Sequence, residues 1–192
     1  MSPVTTTTPG TPIASRWPDG SRSSPDRVAL ITGSGGGIGR TLAVAFMQAG
    51  AQLALHDRGQ EQLGTARTML DQVGGRYQAF AADLASVEEC RRLIGEVHEA
   101  LGRLDSLVKC AGIAHRGSIL DAIPEVFDRI VAVNQRAPFF LSQAAQPITK
   151  AQGGGKILHS GSLSSFYGLA GVSVYGQTKG AMAQMAKTMA AE

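Results

Sequence analysis

Cysteine is scarce in this chain: Cys90 and Cys110 are the whole supply in 192 residues. Two thiols without metal-ligand spacing exclude a disulfide framework and a cysteine-built metal site, and a reducing, cytoplasmic setting is expected. No run of 18 apolar residues occurs, so no membrane-spanning helix and no membrane partner are expected. Charge of one sign is also lacking, because 18 Lys and Arg against 15 Asp and Glu leave a formal net charge of +3. The densest basic pair, Arg91-Arg92, falls far short of a nucleic-acid patch and reads as a solvated helix face. Glycine is plentiful at 24 residues, but it lacks the three-residue period of collagen. With 43% hydrophobic and 17% charged residues, the chain has ordinary globular composition, and its length suits one domain with or without a tail.

Residues 1–26 are rich in Thr, Ser and Pro and are expected to form a disordered tail. They lack the apolar centre of a signal peptide. Arg16 and Arg22 among Ser and Thr suit a transit peptide, whereas Asp19 and Asp26 argue against one. From Arg27 onward, strand and helix signals alternate. Val28-Ala29-Leu30-Ile31 reads as a buried strand. A helix follows, with Ile38, Leu42, Ala45, Phe46 and Ala49 on one face. Further strands are expected at Gln52 to Leu55, Tyr77 to Ala81, Leu104 to Val108 and Lys156 to His159. A polar helix is expected through about Val73, and another around Val87, Leu93, Ile94 and Val97. A long helix should run from Pro124 to about Ala151, kinked or shortened by Pro138 and Pro147, and a last helix should start at Ser173. This alternation predicts an α/β fold, a doubly wound parallel sheet with helices on both faces.

Thr32-Gly33-Ser34-Gly35-Gly36-Gly37-Ile38-Gly39 joins the first strand to the first helix. A helix N-terminus offers unpaired N–H groups and the positive end of a dipole, both suited to a pyrophosphate. Glycine lets the backbone turn tightly and come close. The spacing G-x-G-x-x-G fails, because Ile38 or Arg40 stands where its third glycine should be; G-x-x-x-G-x-G fits at Gly33, Gly37 and Gly39. A phosphate P-loop is excluded, since no Gly-Lys-Ser/Thr follows. Asp57 ends the second strand. A carboxylate there accepts hydrogen bonds from ribose hydroxyls and repels a 2′-phosphate, which favours NAD. Arg58 beside it suits a 2′-phosphate, so NADP stays open. Taken alone, the loop also fits an unliganded glycine-rich segment, and Asp57 a turn residue.

Tyr175 and Lys179 stand four apart near the start of the last helix and share a face. Many surface helices carry such a pair. Ser162, just past the fifth strand, lies at the carboxyl end of the sheet, where open α/β folds bind ligands. The nearly uncharged segment from Leu163 to Val174 can loop out and return, bringing Ser162 beside Tyr175. On the glycine loop, Ser162 and Tyr175-x-x-x-Lys179 together, the chain from about Arg27 to Glu192 resembles the short-chain dehydrogenases/reductases. Asn134, in Val133-Asn134-Gln135-Arg136-Ala137-Pro138-Phe139, adds a fourth match, and Asp83-Leu84 matches that family's adenine-contacting pair.

The resemblance implies a Rossmann-like oxidoreductase that moves a hydride between NAD(P) and a small secondary alcohol or ketone, without a metal. It implies a cofactor-binding set of Gly33, Ser34, Gly35, Gly37, Ile38, Gly39, Asp57, Arg58, Asp83, Leu84, Ala111 and Gly112, joined by Tyr175 and Lys179. Tyr175 is then the general acid/base, Lys179 its electrostatic partner and a holder of the nicotinamide ribose, and Ser162 the donor to the substrate oxygen. Asn134 holds a water linking Lys179 to solvent. A phenol titrates near 10, so work at neutral pH asks for about 4 kcal/mol, and a cation about 4 Å away supplies up to about 4 kcal/mol at an effective dielectric near 20. Ser162-Leu163-Ser164-Ser165-Phe166 with Gly168 resembles the sugar-acid and polyol branch of the family. A homo-oligomer of the full-length chain is expected, and the stripe Ala181, Met182, Met185 and Met189 suits either a subunit contact or core packing.

Two departures stand out. Lys109-Cys110-Ala111-Gly112 replaces the family's usual Asn-Asn-Ala-Gly, and the Lys109 cation must reach solvent or find a partner. His159 replaces a usual Asn on the fifth strand and reads as structural. Family members also continue past the position of Glu192. The chain is therefore expected to be C-terminally truncated, with the fifth strand left as an exposed apolar edge. The alternative reading is a catalytically impaired nucleotide-binding or interaction protein.

Overall fold

The computed structural model describes residues 27–192; the expected disordered tail, residues 1–26, lies outside the described residues. Strands and helices alternate as β1 (Val28–Thr32), α1 (Gly37–Gln48), β2 (Gln52–Asp57), α2 (Gly64–Val73), β3 (Tyr77–Ala81), α3 (Val87–Leu101) and β4 (Ser106–Lys109). They continue as α4 (Pro124–Val131), α5 (Ala137–Ala151), β5 (Lys156–His159) and α6 (Ser173–Ala191). The sheet is parallel throughout, in the order β3-β2-β1-β4-β5. The chain thus winds outward from β1 to β3, then crosses back to β4. That reversal opens a crevice at the carboxyl ends of β1 and β4.

β1 shows why the sheet is covered on both sides. Every residue of Val-Ala-Leu-Ile-Thr is buried. Val28 and Leu30 pack with Leu93, Ile94, Val97, Leu107 and Leu141 on one face. Ala29 and Ile31 pack with Ala43, Met47, Leu53, Leu55 and Leu70 on the other. A continuous apolar strand needs such double cover, and each fully buried Leu or Ile contributes about 1.5–3 kcal/mol. Asp105, just before β4, is buried, and its carboxylate accepts from Val28 N at 2.8 Å and from Arg103 Nε at 2.8 Å. It ties the start of β1 to the start of β4.

Two elements differ from expectation, and the expected break in the long helix takes a particular form. The buried side of α1 is Gly39, Ala43 and Met47 rather than the Ile38–Leu42–Phe46 stripe, and Ile38 is 72% exposed. Small residues let α1 lie close to the sheet, while Ile38 in the first turn is left exposed. The fourth ladder begins at Ser106, not Leu104, because the Asp105 carboxylate takes the Val28 N–H. The long helix from Pro124 is interrupted by a π-helical turn at Ala132–Arg136. Pro138 has no N–H for the carbonyl of Asn134, four residues back, and its ring crowds that carbonyl. The backbone widens there, as π-bulges do, and Pro147 lies inside α5.

β5 pairs with β4 and has no second neighbour among the described residues; its Leu158 is 44% exposed. Met182 is buried in α6, and Ala181, Met185 and Met189 are half-buried. Among the described residues no helix is long and apolar enough to cross a membrane.

Candidate functional site

The glycine loop forms the floor of the crevice. Gly33 has φ +69°, and a Cβ there would lie 2.8 Å from both Ala111 N and Ala111 Cα. The β1–α1 turn therefore touches the segment after β4 backbone to backbone, and Ala111 N also donates to Thr32 Oγ1 at 3.2 Å. A Cβ on Gly35 would run into Gln62 O, and one on Gly39 into Gly33 O, whereas Gly37 faces open space. No side chain caps α1 at Gly36, so the N–H groups of its first turn are left for a ligand or solvent. Asp57 ends β2 against this loop. Its Oδ2 accepts from Gly35 N at 3.1 Å and its Oδ1 from Arg58 N at 2.8 Å.

Ser34 departs from the expected set. It is fully buried; its hydroxyl donates to Ile31 O at 2.5 Å and accepts from His56 N at 3.3 Å, and its own N–H donates to His56 O at 2.8 Å. Its polar groups fasten β1 to β2, where backbone groups at the strand ends need partners, and the hydroxyl does not serve the crevice.

A cavity of about 350 Å³ fills the crevice, walled by Gly33, Asp57, Asp83, Leu84, Gly112 and Arg129, among others. Asp83 accepts from Arg129 Nη1 at 2.9 Å and Nη2 at 3.0 Å, and from Ala85 N at 3.0 Å. The Arg129 guanidinium holds the Asp83 carboxyl below the usual carboxylate range. Leu84 beside it is buried in the α3 core. Arg58 lines the cavity and is exposed.

At Gly112 this cavity meets a second group of side chains. A Cβ on Gly112 would lie 3.4 Å from Asn134 Oδ1 and 4.0 Å from Lys179 Nζ. Asn134, buried in the π turn, accepts from Ile113 N at 2.8 Å and donates to Ile113 O at 2.8 Å and to Thr178 Oγ1 at 3.3 Å. Its side-chain amide thus clamps the loop after β4. Lys179 Nζ donates to Ser160 O at 2.7 Å and lies 5.5 Å from the centroid of the Tyr175 ring, within the range of a cation–π contact. Burial holds the Lys179 ammonium below its ordinary range, with nearby Cys110 acting in the opposite sense.

Ser162 caps a 3₁₀ turn, Leu163–Ser165, that returns the chain toward α6. Its Oγ accepts from Ser164 N at 3.1 Å, and Ser165 Oγ donates to Lys179 O at 2.8 Å. The segment between Ser162 and Tyr175 loops out and back as expected, and Gly117 N donates to Gly171 O at 3.0 Å to hold the returning chain. Asn134, Ser162, Tyr175 and Lys179, from three separate elements, gather around the carboxyl ends of β4 and β5.

Beneath them lies Lys109, which does not reach solvent. At 3% exposure its Nζ donates to Pro138 O at 3.1 Å and Ser142 Oγ at 2.5 Å, and contacts His159 Nε2 at 3.1 Å. Burial pushes the Lys109 ammonium down to about 7, and burial together with the Lys109 charge pushes His159 down to about 4. With Lys109 donating to Nε2, the ring proton of His159 belongs on Nδ1, which is buried without a partner.

A family model described as short chain dehydrogenase matches residues 27–192. An uncharacterized oxidoreductase of Thermotoga maritima is 34% identical over 86% of this chain and 65% of its own length. The 2-(S)-hydroxypropyl-CoM dehydrogenase 3 of Xanthobacter autotrophicus is 34% identical over 87% of this chain and 66% of its own length. A gluconate 5-dehydrogenase from Burkholderia cenocepacia, solved with NADP and tartrate, superposes with a TM-score of 0.80 at 34% identity, over 86% of this chain and 65% of that one. The chain spans about two thirds of the length of these relatives.

Proposed function

The chain belongs to the short chain dehydrogenase family, and from that premise we propose that residues 27–192 form a dinucleotide-binding domain that transfers a hydride between NAD(P) and a secondary alcohol or ketone. The residues fit such a cofactor. The α1 N-terminus is uncapped and Gly37 is open, as phosphates require. Asp57 is anchored at the far side of the crevice, and Gly112 leaves room where a side chain would block the approach to Lys179. A nicotinamide dinucleotide, when bound, supplies the hydride acceptor or donor.

The chain's own residues would do the rest. Asp57 would accept from the adenosine ribose hydroxyls, which favours NAD, while Arg58 is placed to meet a 2′-phosphate. Gly33, Gly35, Gly39 and Ala111 would keep the backbone close to the ligand, with Ile38 and Leu84 as apolar walls. Ser162 Oγ would donate to the substrate oxygen. Tyr175 would give or take the proton at its phenolic oxygen. Lys179 would stabilise the phenolate by charge and hold the nicotinamide ribose. Asn134 would hold Ile113 and so the floor of this pocket; both Nδ2 hydrogens are used, which leaves one lone pair on Oδ1 for its expected water. We assign the substrate to the sugar-acid and polyol class on the Ser162–Gly168 segment, a reading supported by the likeness to a gluconate 5-dehydrogenase. A cytoplasmic homo-oligomer completes the proposal.

The observation that carries this reading is Gly112, shared by the cavity wall and the Asn134–Lys179 group. The test is turnover followed at the nicotinamide absorbance band with a panel of polyols and keto-acids. Tyr175→Phe is expected to cut turnover about 10³-fold, within the usual range for a general acid/base, with NAD affinity by calorimetry falling far less. Full activity in Tyr175→Phe would refute the mechanism. A second reading, a nucleotide-binding protein without turnover, draws on the Lys109 cation buried beneath the site; it predicts NAD binding with no turnover on any member of the panel.

A further inference from the structure

Arg129 belongs to no motif and lies 46 residues from its partner Asp83. Both residues wall the cavity, and their side chains are 39% and 45% exposed. A carboxylate offers about two lone-pair sites on each oxygen. On Asp83, Oδ1 is fully used, accepting from Arg129 Nη2 and Ala85 N, both at 3.0 Å. Oδ2 accepts from Arg129 Nη1 at 2.9 Å and has one site left. The two-pronged grip fixes the carboxylate plane, which a single cation could not do. A half-exposed carboxylate without that grip would turn freely and hydrate.

We propose that Arg129 is a positioning residue: its bidentate hold on Asp83 leaves one fixed lone pair on the cavity wall, and that lone pair selects a purine bearing an exocyclic amine. The inference rests on the proposed dinucleotide site, in which Asp83 belongs to the adenine-contacting pair, and adds to it the residue that fixes that carboxylate. Arg129 lies on α4, five residues before Asn134. The same clamp therefore braces the loop after β3 against the helix that leads into the π turn.

The experiment uses the full chain and two probes, NAD and nicotinamide hypoxanthine dinucleotide, in which a carbonyl replaces the 6-amine. Affinities are measured by calorimetry, and folding by thermal melting. The wild type is expected to prefer NAD about tenfold or more, the size of a hydrogen bond to a charged group. Arg129→Gln is expected to bring the two affinities together, and Arg129→Lys, which keeps a cation but loses the fork, to fall between. A purely structural Arg129 would weaken both ligands equally and leave the ratio untouched; that result overturns the proposal. Equal binding of the two dinucleotides by the wild type overturns it as well. If Arg129→Gln does not fold, an unchanged ratio in Arg129→Lys overturns it in the same way. If the wild type binds neither compound, the dinucleotide reading itself falls and takes this one with it.

Discussion

The two sides of the crevice are built on opposite plans. On the β2–β3 side, each carboxylate is held by backbone N–H groups: Asp57 by its neighbour Arg58 and by Gly35 of the β1–α1 loop, Asp83 by Ala85 two residues on. Charge is balanced there by Arg129. On the β4–β5 side, a buried cation has only neutral partners, and the polar side chains come from α5, α6 and the π turn. That side also presents exposed apolar groups, Leu163, Phe166 and Tyr167. The first side owes its shape to backbone hydrogen bonds, a paired charge and close backbone packing. The second owes its shape to long-range packing that has to carry an unfavourable charge.

A substitution that breaks the first plan should therefore have the largest effect. Gly33→Ala forces a side chain into φ +69° and sets its Cβ 2.8 Å from the Ala111 backbone. The left-handed conformation alone costs about 1–3 kcal/mol, and the contact adds to it. A fall in urea-unfolding free energy of at least about 2 kcal/mol is expected, together with loss of measurable NAD binding. Gly37→Ala is the control, since its Cβ would meet nothing within 4 Å; it should fold normally and weaken only binding. Equal stability losses at the two positions would mean that the loop is not packed as described.

The second plan can be tested through pH. The folded Lys109 titrates near 7 rather than at its ordinary 10.5, so folding favours its neutral form. The stabilisation from the neutral amine is fully present above about 10.5 and is lost as pH falls through about 7. The gap amounts to at most about 5 kcal/mol. His159, lowered from 6.5 to about 4, acts in the same sense, its contribution being lost as pH falls through about 4. Lys109→Met should be more stable than the wild type at about pH 6, and the advantage should shrink steadily between about pH 7 and 9 in urea titrations. An advantage that does not vary with pH would remove the buried cation from the account.

This contrast also explains what can be read from the residues alone. β3, β5 and the start of α6 fall at the expected positions, because short apolar runs bounded by glycine or polar residues mark them. Asp57 is readable from its place at the end of β2. The buried face of α1 is not, since Gly39 and Ala43 carry little hydrophobic signal yet make the closest approach to the sheet. The proline pair foretells a break in the long helix, but its form, a π turn that carries Asn134 inward, follows from which carbonyl Pro138 displaces. Ser34 resembles a loop ligand because its neighbours do, and only the pairing of β1 with β2 turns it inward. Arg129 and the Lys109–His159 contact are long-range pairings, spanning 46 and 50 residues, and local pattern cannot supply them.

The smallest expected effect compares the two thiols. Cys90 is fully buried in α3, donates to Leu84 O at 3.5 Å, and is pushed up to about 11 by burial; a thiol so held is inert until the chain opens. Cys110 is half-buried on the cavity wall, with Ser160 Oγ 3.6 Å from its sulfur. Iodoacetamide should therefore label Cys110 in the folded protein and leave Cys90 untouched. A dinucleotide lying against Gly33, Ala111 and Gly112 would cover Cys110 only in part, so NAD should slow its labelling several-fold rather than abolish it, as read by peptide mass spectrometry. Protection by NAD with none by adenosine would place the nicotinamide half at Cys110. Protection by adenosine alone would reverse the assignment of the two ends, and with it the comparison between the two sides of the crevice.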